Sequence, residues 1–203
     1  MSVHSMAVTD QTERTPRGDD KREKILAAAL DLFAERGFHG TPVPEVATRA
    51  KVGAGTIYRY FESKEALVNV LYRQLKNEML AHTASDLDFT LAPRQQWHRL
   101  FRRIVSFAEA QPLAFAFLEL HHHAPYLDEE SRAIETRVMG MAVAFLEQTR
   151  AAGLTRAEDP QVLIALVWGG IIRLIRSFHE GLLQADEATL ERFEALCWEA
   201  LRA

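Results

Sequence analysis

Apolar residues recur along this chain at helical spacing, with no convincing alternating strand. Ile25, Ala29, Leu32 and Phe33 line one face at a 3.6-residue period. Asp20 and Glu23 read as a capping box ahead of them, and Gly37 stands where a glycine stops a helix. Two short helices are expected, from about Val43 to Ala50 and from about Gly55 to Phe61. Ser63 caps a fourth, with Leu67, Leu71, Leu75 and Met79 four apart. Beyond residue 80 the helices grow longer. Pro93 opens one carrying Leu100, Phe101, Ile104 and Phe107, and Pro112 breaks it to open a stretch with Phe115, Phe117 and Leu118. Asp128 begins a helix that ends near Gly153. Asp159-Pro160 and Gly181 bracket another, and Asp186 opens the last, through Leu190, Phe193, Leu196 and Cys197. The pattern predicts nine helices and an all-α fold, behind sixteen residues that read as a mobile tail.

Composition narrows this little. Hydrophobic residues make up 48% and charged residues 26% of the 203, ordinary for a chain with a real core. The longest apolar run, Val162 to Ile172, stops at Arg173, short of the roughly 18 residues a membrane span needs. The polar N-terminus lacks the apolar region of a secretory signal. A lone Cys197 fits a reducing compartment and suits a core position better than a redox sensor, so a bacterial cytoplasm is expected. Charge matters more for where it lies. The net charge is −4, yet all five lysines (Lys21, Lys24, Lys51, Lys64, Lys76) fall in the first 76 residues. From Arg17 to Lys76, 11 Lys and Arg face 8 Asp and Glu; the remainder is acidic. Local basic charge is what releases phosphate counterions, although an excess this small carries nothing alone.

Residues 38–65, FHGTPVPEVATRAKVGAGTIYRYFESKE, concentrate the chemistry. Two short helices separated by a few residues including Gly53 have helix-turn-helix spacing. Val46, Ala47, Ala50, Ile57 and Phe61 supply a buried seam, with Val52 plugging the angle. The remaining face of the second helix offers Gly55, Thr56, Tyr58, Arg59 and Tyr60, with Ala54 at its start and Lys51 in the turn. A helix N-terminus at Gly55 and Thr56 attracts phosphate. Arg59 has the fork that matches guanine O6 and N7. Tyr58 and Tyr60 can donate to phosphate, though either also suits a half-buried aromatic position. Lys64, unfavourable to the dipole in the first turn of a helix, makes sense opposite a phosphate. Thr41 could add another phosphate contact.

This stretch resembles the N-terminal DNA-binding domain of TetR-family transcriptional regulators (TetR/AcrR type). Gly40-Thr41, Val46-Ala47, Gly53, Gly55-Thr56-Ile57-Tyr58, Tyr60-Phe61 and Ser63-Lys64-Glu65 carry the resemblance, over about residues 20–75. Two positions depart from the family pattern. Ala54 replaces a common Ser and removes a phosphate-contacting hydroxyl. Pro42 replaces a common capping Ser or Thr, which leaves Thr41 to take over the cap. The resemblance implies a helix-turn-helix domain over residues 19–65 after a tail of residues 1–18, a linking helix to about residue 82, and an effector-binding and dimerisation domain over 83–203. It further implies a ligand-responsive repressor on a palindromic operator, acting as a homodimer without a cofactor.

The C-terminal half supports a dimer independently. Val162 to Ile175 is apolar nearly all round, as suits a helix buried on several faces. Gly169 and Gly170 each cost about 1 kcal/mol in a helix interior unless another helix approaches closely. Val162, Leu166, Gly169, Gly170, Ile172, Phe193 and Leu196 are the interface candidates. For a ligand, Trp97, Phe107, Phe115 and Trp168 could form aromatic walls with Glu119, His122, His123 and Arg173 as polar contacts, a pattern favouring a lipophilic or aromatic effector. Core packing explains each aromatic equally well. The run His121-His122-His123 does not make a metal site, because helix neighbours point about 100° apart and no HExxH or Cys/His spacing accompanies it. An enzyme, or a ligand-binding dimer without DNA, would be the rival function. No nucleophile–base pair, carboxylate pair or phosphate loop stands out for catalysis.

Overall fold

Helix ends set the architecture, and four of the helix starts rest on a side-chain cap the sequence names. In a computed structural model describing residues 17–203, the described residues form nine α-helices: α1 (Arg17–Arg36), α2 (Val43–Arg49), α3 (Ala54–Tyr60), α4 (Lys64–Ala84), α5 (Pro93–Ala110), α6 (Pro112–Leu120), α7 (Glu129–Ala151), α8 (Pro160–His179) and α9 (Glu187–Leu201). Ser63, Asp128 and Asp186 each accept the backbone N–H three residues on, and Asp159 accepts that of Gln161, satisfying donors the helix cannot. Gly37, Gly153 and Gly181 close helices with φ near +70°. The tail expected at 1–16 lies outside the described residues. Two expected caps differ. α1 is already helical at Arg17, so Asp20 sits inside it, paired with Lys24 at 2.7 Å, rather than capping it. α2 starts from Pro42 with no side-chain cap.

The core is continuous from the N-terminal helices into the C-terminal ones. α1 packs on α2, α4 and α6, while α4 packs on α1, α5, α6 and α7. Phe33 of α1 meets Phe117 of α6 at 6.2 Å between ring centres. Phe101, Phe107 and Phe115 are fully buried beside them. Arginines of α5 fasten this core to α9 through Arg94–Glu194 and Arg102–Glu187. The chain end is pinned by an isolated antiparallel bridge between Thr155 and Arg202. By length and composition α8 is apolar enough to cross a membrane, but it packs between α7 and α9 and carries Arg173 and Arg176. Replacing Phe107, which is fully buried in this packing, with Ala is expected to cost about 3–5 kcal/mol of stability in urea unfolding.

Candidate nucleic-acid interface

A seven-residue helix cannot stand alone in water, so α3 exists because its apolar side is anchored. Ile57 is buried against Val46, Ala47 and Ala50, and Phe61 closes the end of the seam. The turn between α2 and α3 is built from backbone bonds: Lys51 N–H to Thr48 O at 3.1 Å and Val52 N–H to Ala47 O at 3.0 Å. Its left-handed residue is Lys51, at φ 55°, and not Gly53, which caps α3 in an extended conformation open to any residue. Gly40 has a firmer reason to be glycine. A Cβ there would stand 2.5 Å from the Arg36 carbonyl oxygen, because the chain doubles back beneath the end of α1.

With its apolar side spent, α3 turns Ala54, Gly55, Tyr58 and Arg59 to solvent, and Tyr58 is 55% exposed. Lys51 is exposed beside them. Thr56 and Tyr60 are half-buried. Charges on the flanking helices are engaged within the chain, Arg36 with Glu45 at 2.7 Å and Arg49 with Asp31 at 3.2 Å. Among the described residues Lys51 and Arg59 form no such pair. His39, exposed in the loop before α2, shares this end of the molecule; sequence reasoning passed over it, as a lone loop histidine carries no motif.

Two expected phosphate contacts are otherwise employed. Thr41 is fully buried, and its hydroxyl serves the carbonyls of Leu32 (3.1 Å) and Gly37 (2.9 Å). The Leu32 carbonyl lies in the last turns of α1 and the Gly37 carbonyl just past its end, so Thr41 neither caps α2 nor reaches outward. The Lys64 ammonium lies 4.1 Å above the centre of the Phe38 ring and donates to the Phe38 carbonyl. Partial burial lowers its pKa against the opposing pull of Glu65. Lys64 braces the α1–α2 loop.

The residues expected to hold a ligand scatter. Trp97 is buried against α9, its Nε1 3.4 Å from the Glu194 carbonyl. Phe107 and Phe115 are core. His122 and Arg173 are exposed, the latter paired with Glu180 at 3.2 Å, so both point away from the interior. Two shallow grooves, of about 350 and 500 Å³, run along α5 and none of the expected ligand residues lines them. Two of the expected residues, Glu119 and Trp168, do converge, in a polar cluster whose other members the sequence hid. Lys76, 6% exposed, donates to Glu119 at 2.9 Å and reaches Glu135 at 3.0 Å; Trp168 Nε1 donates to the other Glu119 oxygen at 3.1 Å, and the Tyr72 hydroxyl donates to Glu135. Burial would depress the Lys76 pKa, but the two carboxylates outweigh it and raise it. The Tyr72 phenol is held protonated, first by burial and then by Glu135. A lysine in the otherwise apolar register Val68, Tyr72, Met79 was the available signal. Among the described residues no group of His, Cys, Asp and Glu is placed to hold a metal ion. The Cys197 thiol is pushed up to about 11 by burial and by Glu194.

An all-helical chain with an anchored, outward-facing second helix in a helix-turn-helix is built as a DNA-binding transcriptional regulator. Residues 25–71 match the family model described as bacterial regulatory proteins, tetR family, and residues 70–203 match the tetracyclin repressor-like C-terminal domain. The chain belongs to the TetR family. It is 32% identical to the HTH-type transcriptional regulator RutR of Escherichia coli K12 over 164 residues, 80% of this chain and 77% of that one. A TetR-family regulator from Shewanella sp. PV-4 superposes with a TM-score of 0.78 at 26% identity, over 94% of this chain and 100% of the other. FadR of Bacillus subtilis, solved with stearoyl-CoA, shares the fold with a TM-score of 0.68 at 19% identity, over 89% of this chain and 99% of that one.

The place of Thr41 gives a direct expectation. Thr41→Val, which keeps the shape and deletes the hydroxyl, should lose about 1–3 kcal/mol in thermal melts, while Thr41→Ser should lose much less.

Proposed function

We propose that this chain is a homodimeric, ligand-responsive repressor that sets α3 into the major groove of a palindromic operator in the bacterial cytoplasm. The observation that carries the reading is the division of α3: Ile57 is locked inside while Gly55, Tyr58 and Arg59 face outward, and among the described residues Arg59 forms no ion pair that would have to be given up. Arg59 supplies base readout, and Tyr58, Lys51 and the α3 backbone around Ala54 and Gly55 supply phosphate contacts. Thr56 and Tyr60 border that surface. Residues 19–65 form the DNA-reading unit, α4 links it to about residue 82, and residues 83–203 dimerise and take the effector.

The dimer is supported by an apolar stripe left uncovered on the last two helices. Val162 and Leu166 of α8 are 60% and 59% exposed, and Leu196 of α9 is 68% exposed. The adjacent glycines divide between two tasks. A Cβ on Gly169 would meet open space, leaving room for a partner helix, whereas one on Gly170 would lie 3.2 Å from Phe193 of the same chain. Gly170, Phe193 and the half-buried Ile172 therefore serve packing inside the protomer. Two-fold symmetry would place two copies of α3 about 34–36 Å apart, one turn of duplex. A lipophilic effector fits a C-terminal core walled by aromatic rings, and a protein of the same fold holds stearoyl-CoA. Because those rings pack on one another, such an effector would have to part α6 and α8 around Glu119 and Trp168.

The test is a genome-wide selection for bound DNA fragments, followed by anisotropy titrations across a salt series. Arg59→Ala should weaken operator binding by about 1–3 kcal/mol per half-site and flatten discrimination at one base pair in each half-site. Lys51→Gln, which removes one phosphate contact from each protomer of the dimer, should lower the slope of log K against log salt by about 1.8, while Lys64→Gln leaves that slope unchanged because its ammonium is engaged with Phe38. An empty selection would sink the reading. In sedimentation, Leu166→Glu should convert the dimer to monomer without loss of helix.

A further inference from the structure

An unbroken chain of side chains joins the C-terminal core to the DNA-reading end through the loop between α6 and α7. Lys64 lies over the Phe38 ring and donates to the Phe38 carbonyl. That ring stacks on Tyr126 at 4.2 Å between centres, with 20° between planes. The Tyr126 hydroxyl meets His123 Nδ1 at 2.8 Å, and His123 Nε2 meets the Phe117 carbonyl of α6. Beside it, His121 Nε2 donates to the Ala34 carbonyl of α1 at 2.9 Å. Asn69 of α4 holds the loop backbone twice: its Nδ2 donates to the Tyr126 carbonyl at 2.8 Å, and its Oδ1 accepts from the Asp128 N–H at 2.9 Å.

This geometry fixes the state of His123. A carbonyl only accepts, so Nε2 carries the hydrogen, and Nδ1 is the lone pair that receives the Tyr126 O–H. The neutral ring satisfies both contacts. A second proton, on Nδ1, sets donor against donor until the hydroxyl turns, and buries a positive charge. The groups facing that charge are mostly neutral or positive. From α4 they are Tyr72, its ring 5.5 Å away, and Lys76; from the loop itself, Tyr126, His121 with its ring 6.4 Å away, and His122. Glu119 of α6 and Glu135 of α7 stand behind Lys76, which neutralises part of their charge.

We propose that this joint is a proton-sensitive latch: a proton taken up by His123 loosens the loop from Phe38 and weakens operator binding. The proposal rests on the reading that two α3 helices meet a palindrome at a fixed spacing, because freedom gained at the joint must be surrendered again on binding. Burial, first, and the charges of His121, Lys76 and His122 hold the His123 imidazole below its ordinary 6.5, against the pull of the Phe117 hydrogen bond. A group depressed in this way stabilises the latched form fully above pH 6.5 and progressively less as pH falls through its folded value. Exposed His39 has the opposite effect, since its protonation would draw phosphate closer. The sign of the acid response therefore tells the two apart.

The experiment measures binding of the selected operator duplex at pH 7.5 and 5.5, at constant ionic strength. Wild type should bind roughly fivefold more weakly in acid, His39→Gln more weakly still, and His123→Gln should lose the acid weakening. Should His123→Gln not fold, Tyr126→Phe keeps the ring stack and removes the hydrogen bond that favours neutral imidazole; its transition should move to higher pH. Acid binding as tight as at pH 7.5, or a wild-type response in His123→Gln, overturns the latch. Absence of binding at pH 7.5 would count against the operator reading instead. Hydrogen exchange of the DNA-free protein then judges the latch, after correction for intrinsic pH dependence. Protection of residues 121–128 lost at pH 5.5 supports it, and equal protection at both pH values refutes it.

Discussion

A buried ammonium must be answered by opposite charge, and the answer to Lys76 organises four helices. Its partners come from α6 and α7, and the α6 carboxylate is held in turn by Trp168 of α8. Removing one member of such a cluster strands the others in a poor solvent, at about 3–5 kcal/mol, whereas an apolar replacement of the whole set is often neutral. The cluster therefore contributes less to gross stability than to arrangement: it accepts one relative placement of α4, α6, α7 and α8. That placement is also the one in which α4, whose first residue is Lys64, delivers the helix-turn-helix. The aromatic rings around it tolerate sliding far better than a salt bridge does.

The reading helix shows the complementary economy. α3 contributes one large apolar side chain to the core, Ile57, and borrows the rest of its stability from α2 and the Thr41 staple under α1. Residues spent on that frame cannot also contact DNA, so Thr41 and Lys64 lie behind the surface rather than on it. Among the described residues Lys51 and Arg59 form no ion pair, and in the proposed function they meet a ligand of opposite sign. A chain of net charge −4 presents a locally basic end because the acidic excess is spread over the C-terminal helices.

Local rules made most of the fold legible in the sequence. Ser63, Asp128, Asp159 and Asp186 cap through atoms within three residues, and Gly37, Gly153 and Gly181 act on their own backbone. The outward face of α3 was legible for the same reason, as a 3.6-residue period turns Tyr58 and Arg59 about 100° and 200° away from Ile57. What the sequence concealed depends on partners far along the chain. Lys76 meets Glu119 and Glu135, 43 and 59 positions away, and Lys64 finds Phe38, 26 positions back. The left-handed turn at Lys51 rather than Gly53 is a further case. Residue preference favours glycine there, yet the bonds to Thr48 and Ala47 decide where the chain reverses. The sequence did not divide the aromatics between core and ligand wall, because burial and ligand contact draw on the same residue types.

The two glycines of α8 show how a helix can serve two interfaces at once. Adjacent positions on a helix differ by about 100°, so Gly170 can admit Phe193 of its own protomer while Gly169 stays clear on another face. Phe193 in turn stacks on Phe101 of α5 at 6.1 Å, which ties the inner side of α8 to the aromatic core. Any rearrangement of that core therefore presses on the same helix that, in the proposed dimer, sets the distance between protomers. Distance between protomers is distance between reading helices. In the proposed function, a regulator built this way needs no long conduit between effector and DNA. It needs only that the packing of α5, α6 and α8 have two arrangements, of which one fits the spacing of the operator.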